Sequence, residues 1–178
     1  MNTLIIQHLP GDQPGDQPRF HLVRQRDGKR TAEPAAIRSP RGFPVQSRPD
    51  SDLVRELRWY LEEFLGYPFP PETEHADRVL EALKQWGRQA FDALFDNRQA
   101  GKLLDEAAPG GQYGQLQLQI SSDDPSILAW PWEGLRDAAA GLLAQQCQIE
   151  RRLNKVLDPQ PLDERLPRDR VNILLVTA

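Results

Sequence analysis

The chain is short of the residues on which compact reactive sites usually rest. Among its 178 residues there are one cysteine, one methionine and three histidines. A single cysteine, Cys147, excludes an intramolecular disulfide and any multi-cysteine zinc cluster, and it fits a reducing compartment. His8, His21 and His75 fall in separate segments without paired spacing, so no metal-ligand motif is present and no metal is expected. Long apolar runs are missing too. Nothing approaches the ~18 apolar residues of a membrane span, and the N-terminus lacks the basic start and apolar stretch of a secretion signal. Charge of one sign is equally scarce: 22 basic and 26 acidic side chains are mixed along the chain, for a formal net charge of −4. That balance gives no broad footprint for nucleic acid or an anionic membrane. The expectation is a soluble, cytoplasmic protein with neither among its partners.

Reaction motifs are thin. Gly110, Gly111 and Gly114 precede a predicted strand instead of following one and opening a helix, the wrong context for a phosphate loop, so no cofactor is expected. Cys147 lies among Gln145, Gln146 and Gln148 with no neighbouring His, Lys or helix start to favour a thiolate, which suits a buried structural thiol. Asp123 and Asp124 precede Pro125 in turn chemistry, and Glu62 and Glu63 fall on a solvated helix margin. No catalytic, cofactor-binding or metal-binding residue is assigned.

What the chain does contain is proline, 16 in all, with an apolar fraction of only 39%. Part of it is therefore expected to be irregular. Leu4–Leu9 and Phe20–Arg26 are β-prone and flank a tandem Gly-Asp-Gln-Pro at 11–18, so residues 1–26 read as an N-terminal β-hairpin with an expanded turn. Residues 27–50, with Pro34, Pro40, Pro44 and Pro49 and arginines at 30, 38, 41 and 48, read as a mobile Pro/Arg-rich connector. Arg24 and Arg26 extend that basic excess, whose sharper alternative to a solvated loop is a surface for an acidic partner. Leu53, Leu57, Tyr60, Leu61, Phe64 and Leu65 recur at helical spacing behind Asp50, Ser51 and Asp52, and Gly66 stops the helix. A second helix, capped by Thr73, carries the stripe Val79, Leu80, Leu83, Trp86, Ala90, Phe91 and Leu94. Leu116, Leu118 and Ile120 alternate with glutamines as a strand with one wet face. Residues 126–137 suggest a short helix or helical turn, and 147–153 another strand. Residues 51–157 thus form a helical pair plus strands. After a Pro-rich linker, Val171–Val176 is an apolar run suited to a central parallel strand, the alternative being the last strand of the sheet already built; 158–178 is read as linker and strand.

Leu128-Ala-Trp-Pro-Trp-Glu-Gly-Leu135, then Leu143 to Cys147, Ile149-Glu-Arg-Arg-Leu153, the linker and Val171-Asn-Ile-Leu-Leu-Val-Thr-Ala178 follow one another in an order that resembles the CHAT domain family of caspase-like cysteine peptidases. The likeness is specific over 127–178; Trp130 stands where a leucine is common, as does Gly134. It implies an α/β fold, a mixed sheet with packed helices like the degenerate front section of a caspase-like peptidase, truncated after the first strand of the peptidase half. In that scheme 51–157 is a pseudo-peptidase section and 158–178 opens the missing half, where a His and Cys dyad would cleave peptide bonds. No activity would come from this chain alone. Trp130, Pro131, Trp132 and Glu133 would be a structural motif, with Trp132 in the core, Pro131 setting the turn and Glu133 capping or pairing locally. The implied partner is a protein, either the C-terminal peptidase half or another molecule. The alternatives are a stand-alone protein-protein interaction module on the same scaffold and, more weakly, a hydrolase using Asp123 and Asp124.

Overall fold

Alternation of apolar side chains sets the sheet. In the computed structural model, which describes residues 2–11, 16–46 and 51–154, β1 (Asn2–Leu9) and β2 (Arg19–Arg24) pair antiparallel with Leu4 opposite Arg24 and Leu9 opposite Arg19. A two-residue strand, β3 (Ala35–Ala36), pairs antiparallel with β2. Three helices follow, α1 (Leu53–Glu62), α2 (Glu72–Phe95) and α3 (Arg98–Ala107). The chain then returns as β4 (Leu116–Ser121), parallel to β1. A parallel partner needs a crossover of a dozen or more residues, and the helices supply it. After α4 (Pro125–Leu128) and a small ribbon of β5 (Arg136–Asp137) and β6 (Gly141–Leu142), β7 (Gln148–Arg152) adds a third parallel strand. The sheet order is β3-β2-β1-β4-β7. The molecule is thus a mixed α/β structure with packed helices.

One face of this sheet is the core. Leu4, Ile6, Phe20, Leu22, Leu116, Leu118 and Ile120 are all buried, each contributing on the order of 1.5–3 kcal/mol of transfer free energy. The helices pack there: α2 buries Val79, Trp86, Ala90, Phe91 and Leu94 at helical spacing, and α3 buries Ala100, Leu103 and Ala107. The other face is polar and cross-linked, with Thr3 bonded to Gln117 at 3.0 Å and Gln117 to Glu150 at 2.7 Å. Gln119 departs from the simple wet-face expectation, since it is only 6% exposed on β4, a strand paired on both edges.

Helix ends follow local chemistry. The Asp52 carboxylate accepts from Arg55 N at 3.0 Å and caps α1, and Asn97 accepts from Ala100 N at 2.8 Å to start α3; each cap is worth about 1 kcal/mol. α1 stops at Glu62, and Phe64–Gly66 continue as a 3₁₀ turn. Thr73 does not cap α2. The helix already begins at Glu72, and Glu72 and Glu74 instead place negative charge at its positive end.

The stretch expected to be a mobile connector is anchored to the core at several positions, although most of its described residues are exposed. Ile37, Phe43 and Val45 are buried, and Trp86 Nε1 donates to the Arg38 carbonyl at 2.9 Å. Few apolar residues suffice there, because prolines fix the chain between them. Its arginines are partly engaged internally: Arg38 donates to the Gly42 carbonyl at 2.9 Å and lies over the Phe43 ring, and Arg24 pairs with Asp27 and Glu106. The expected linker and strand at 158–178 lie outside the described residues. No helix among the described residues is long and apolar enough to cross a membrane.

Candidate functional site

Parallel strands leave a crevice beyond their carboxyl ends, where the loops leaving neighbouring strands diverge. Here β1 ends at His8-Leu9 and β4 runs out through Ser121-Ser122-Asp123-Asp124-Pro125. Between them opens a cleft of about 420 Å³ lined by His8, Asp16, Arg41, Asp124, Ser126 and Trp130, among others. A second recess of about 370 Å³ shares His8, Gly11 and Asp124 and reaches Asp123 and Asn154.

His8 stands on the same face as Ile6 but at the strand end, so its ring packs 5.3 Å from Phe20 while one edge meets the cleft. Its Nδ1 lies 2.9 Å from Ser122 Oγ, and that oxygen accepts from Asp124 N at 3.0 Å. Burial holds the His8 imidazole below its ordinary pKa, partly countered by the Asp124 charge. Asp124 accepts from Ser126 N at 2.8 Å, and the bonds to Ser126 hold its carboxyl below the usual range, helped by His8 and Arg41. At neutral pH the cleft therefore presents a neutral imidazole beside an ionised carboxylate. Such a pair can hold a hydroxyl or amine by hydrogen bonds. Ser122 is fully buried, so it orients the histidine and is closed to substrate. Asp16, Asp123 and Asp124 against Arg41 make a poor seat for phosphate.

The other residues singled out in the sequence go elsewhere. His21 Nδ1 sits 3.2 Å from Thr31 Oγ1 on β2. His75 Nε2 meets Glu56 Oε2 at 2.6 Å inside the α1–α2 contact, where Ser51 Oγ also donates to Glu56 and the Trp59 ring lies 4.3 Å from His75. Cys147 is half-buried, and burial pushes its thiol up to about 11. Among the described residues no three His, Cys, Asp or Glu side chains converge as metal ligands. His8 and Asp124 were read separately, as a histidine without a motif and as turn chemistry; the pairing of β1 with β4 brings them together across 116 positions.

Of Trp130, Pro131, Trp132 and Glu133, Trp130 lines the cleft. Trp132 is fully buried, its Nε1 donates to the Ile127 carbonyl at 2.8 Å, and it stacks on Trp130 with ring centres 5.5 Å apart. Phe20 and Trp86 close the cluster edge-on, 5.5 and 6.3 Å from Trp132. Pro131 precedes a 3₁₀ turn over Trp132–Gly134. Glu133 pairs with Arg151 at 2.5 Å, and that arginine also donates to the Leu128 carbonyl at 2.7 Å and the Trp130 carbonyl at 3.3 Å.

The chain matches no protein-family model, and no solved structure matches it. Two proteins, from Mycobacterium sp. strains KMS and MCS, are each 30% identical to it over 136 residues. Both bear the description uncharacterized tRNA/rRNA methyltransferase. The similarity takes in 73% of this chain but 43% of each relative, so the chain spans less than half the length of the curated relatives it matches. These findings overturn the resemblance to CHAT cysteine peptidases, and with it the reading as the front part of such a peptidase or as an interaction module on that scaffold. Neither relative is named as a peptidase. A short run of large aromatics around a proline is also what any tight turn beneath a sheet needs for packing; the tryptophans and the Glu133–Arg151 pair are accounted for by their contacts.

Proposed function

We propose that this chain is a non-catalytic section of an RNA-methyltransferase-like protein, one that supplies architecture and a polar cleft while the methyl donor is held elsewhere. The observation that carries this reading is the 30% identity to two proteins named tRNA/rRNA methyltransferases, over most of this chain and under half of theirs. Among the described residues none forms a glycine-rich turn from strand into helix, one arrangement by which a parallel sheet brings its backbone close to a nucleoside-bearing ligand. Here β1 is followed by an antiparallel return. β4 is followed by a glycine-free Ser-Asp-Asp-Pro turn and a four-residue helix, so no step is routed through the donor.

The net charge of −4 and the carboxylates in the cleft support contact with protein over a grip on the RNA backbone. A cytoplasmic setting, where a free thiol stays reduced, goes with this reading. The test is donor binding by calorimetry, on residues 1–178 and on the full-length protein of strain KMS, with transfer of labelled methyl to tRNA and rRNA in parallel. The relative is expected to bind the donor and methylate RNA, and this chain to do neither. Donor binding by residues 1–178 at the relative's affinity would sink the non-catalytic assignment; a relative that methylates no RNA would remove its basis.

A further inference from the structure

Soluble chains rarely leave several large apolar side chains exposed next to one another in sequence, and this one does so over a nine-residue stretch. Leu61, Leu65, Tyr67 and Phe69 are 63%, 51%, 73% and 55% exposed, at the end of α1 and in the turn that leads to α2. The surface is built in place. The Tyr67 and Phe69 rings meet edge-on at 4.7 Å, Phe64 packs between Trp59 and Tyr60 at 5.6 and 5.4 Å, and Pro68, Pro70 and Pro71 restrict the backbone. Exposed aromatics held rigid lose little side-chain freedom on contact, which is why they anchor interfaces.

The stretch of chain that carries the patch has charge of one sign, with Glu63, Glu72 and Asp77 outside the ion pairs of the flanking arginines. Residues 61–77 contain Glu62, Glu63, Glu72, Glu74 and Asp77 and no lysine or arginine. The flanking Arg58 and Arg78 are turned onto Glu62 and Glu74, at 2.9 and 3.5 Å; Arg55 lies a turn further back on α1. An apolar patch with an acidic rim selects its occupant by complementarity.

We infer that Leu61, Leu65, Tyr67 and Phe69 form a docking surface for a protein segment whose apolar side chains are flanked by lysine or arginine. The inference does not rest on the methyltransferase reading. The acidic rim repels nucleic acid, whose phosphates carry the same sign as Glu63, Glu72 and Asp77.

The test uses residues 1–178 and three labelled peptides of one length: an amphipathic Leu/Lys helix, its Leu/Glu counterpart and a Ser/Lys control, with oligouridine as a fourth probe. Fluorescence anisotropy is expected to show binding of the Leu/Lys peptide alone. The double variant Tyr67→Ser/Phe69→Ser should weaken that binding at least tenfold, as should Glu63→Lys/Asp77→Lys, with thermal melts unchanged because all four side chains are exposed and none lies in the first turn of α2. Equal binding of the Leu/Glu peptide, tighter binding of oligouridine, or indifference to both double variants would overturn the proposal. So would a concentration-dependent dimer of the free chain that Tyr67→Ser/Phe69→Ser abolishes, since the occupant would then be a second copy.

Discussion

Replacing Gly87 by alanine sets two effects against each other at a single atom. Gly87 lies in the interior of α2, where alanine is favoured over glycine by about 1 kcal/mol. On propensity alone the variant should be more stable. The helix, however, meets the turn after Trp132 backbone to backbone at this position: a Cβ built on Gly87 falls inside the van der Waals shell of the Gly134 carbonyl, 2.7 Å from its carbon. Ordinary contact begins near ~3.4 Å, and no flexible side chain stands between to yield. The turn would have to move, and it carries Trp132 and Leu135, both fully buried. Overpacking that forces the backbone to shift costs about 3 kcal/mol at the upper end of its usual range, so against the propensity gain the net loss should be about 2 kcal/mol. Urea unfolding followed by tryptophan fluorescence reads it directly, with an unchanged slope showing that the unfolded state is the same. The reciprocal variant Gly134→Ala is the internal control. Its Cβ meets the Leu83 Cδ1 methyl at 2.7 Å, a side-chain end that can rotate, so its cost should stay near ~1 kcal/mol. A Gly87→Ala protein as stable as the parent, or one no worse than Gly134→Ala, would refute the close approach of α2 to this turn.

Three further outcomes are expected. Glu56→Ala should cost about 2–4 kcal/mol by leaving buried His75 and Ser51 without their shared acceptor, while Glu56→Gln should cost clearly less; equal losses in denaturant melts would show that the pair contributes nothing beyond volume. Stability should be greatest between roughly pH 6.5 and 9. Burial lowers His8 and His21, so the unfolded chain takes up protons first and stability is lost as pH falls below their ordinary value. Burial raises Cys147 to about 11 and, with the Asp137 charge, Tyr113 to about 12, so the unfolded chain ionises first and stability is lost as pH rises. A flat profile of melting temperature from pH 5 to 10.5, or iodoacetamide labelling of Cys147 as fast as free cysteine at pH 8, would contradict those environments. Arg151→Lys should lose about 1 kcal/mol, a modest figure because the Glu133 pair is partly exposed, since an ammonium cannot span Glu133 and the Leu128 and Trp130 carbonyls together. A lysine variant that melts with the parent would mean that the fork adds nothing to a point charge.

Much of the sheet was legible because its strands alternate. Leu116, Leu118 and Ile120 announce β4, and the β-prone stretches on either side of the Gly-Asp-Gln-Pro repeat lie on β1 and β2. The stripe on α2 was equally plain, since Val79, Trp86, Ala90, Phe91 and Leu94 keep helical spacing within a helix of 24 residues. α3 escaped because two of its three buried positions are alanines, which leave little periodic signal. The anchoring within residues 27–46 left no sequence signal because it depends on isolated side chains, Ile37, Phe43 and Val45 among them, with no period at all. The cleft was invisible for a different reason. His8 and Asp124 belong to separate segments, and nothing local to either says that β1 and β4 lie side by side. The one available signal was positional, a polar residue at the end of a β-prone run and a Ser-Asp-Asp-Pro turn at the end of another. The resemblance around Pro131 misled because aromatic packing beneath a turn reuses the same few residue types.

The parallel contact between β1 and β4 also sets a timetable. β1 finds β2 almost as soon as both have left the ribosome, but its other edge has no partner until Leu116–Ser121 arrive. Roughly 90 residues lie between, which at ordinary synthesis speeds is on the order of 5–20 seconds. For that interval Leu4, Ile6, Phe20 and Leu22 form an apolar hairpin face with one bare edge. The three helices made meanwhile can shelter that face, and only the arrival of β4 closes the edge.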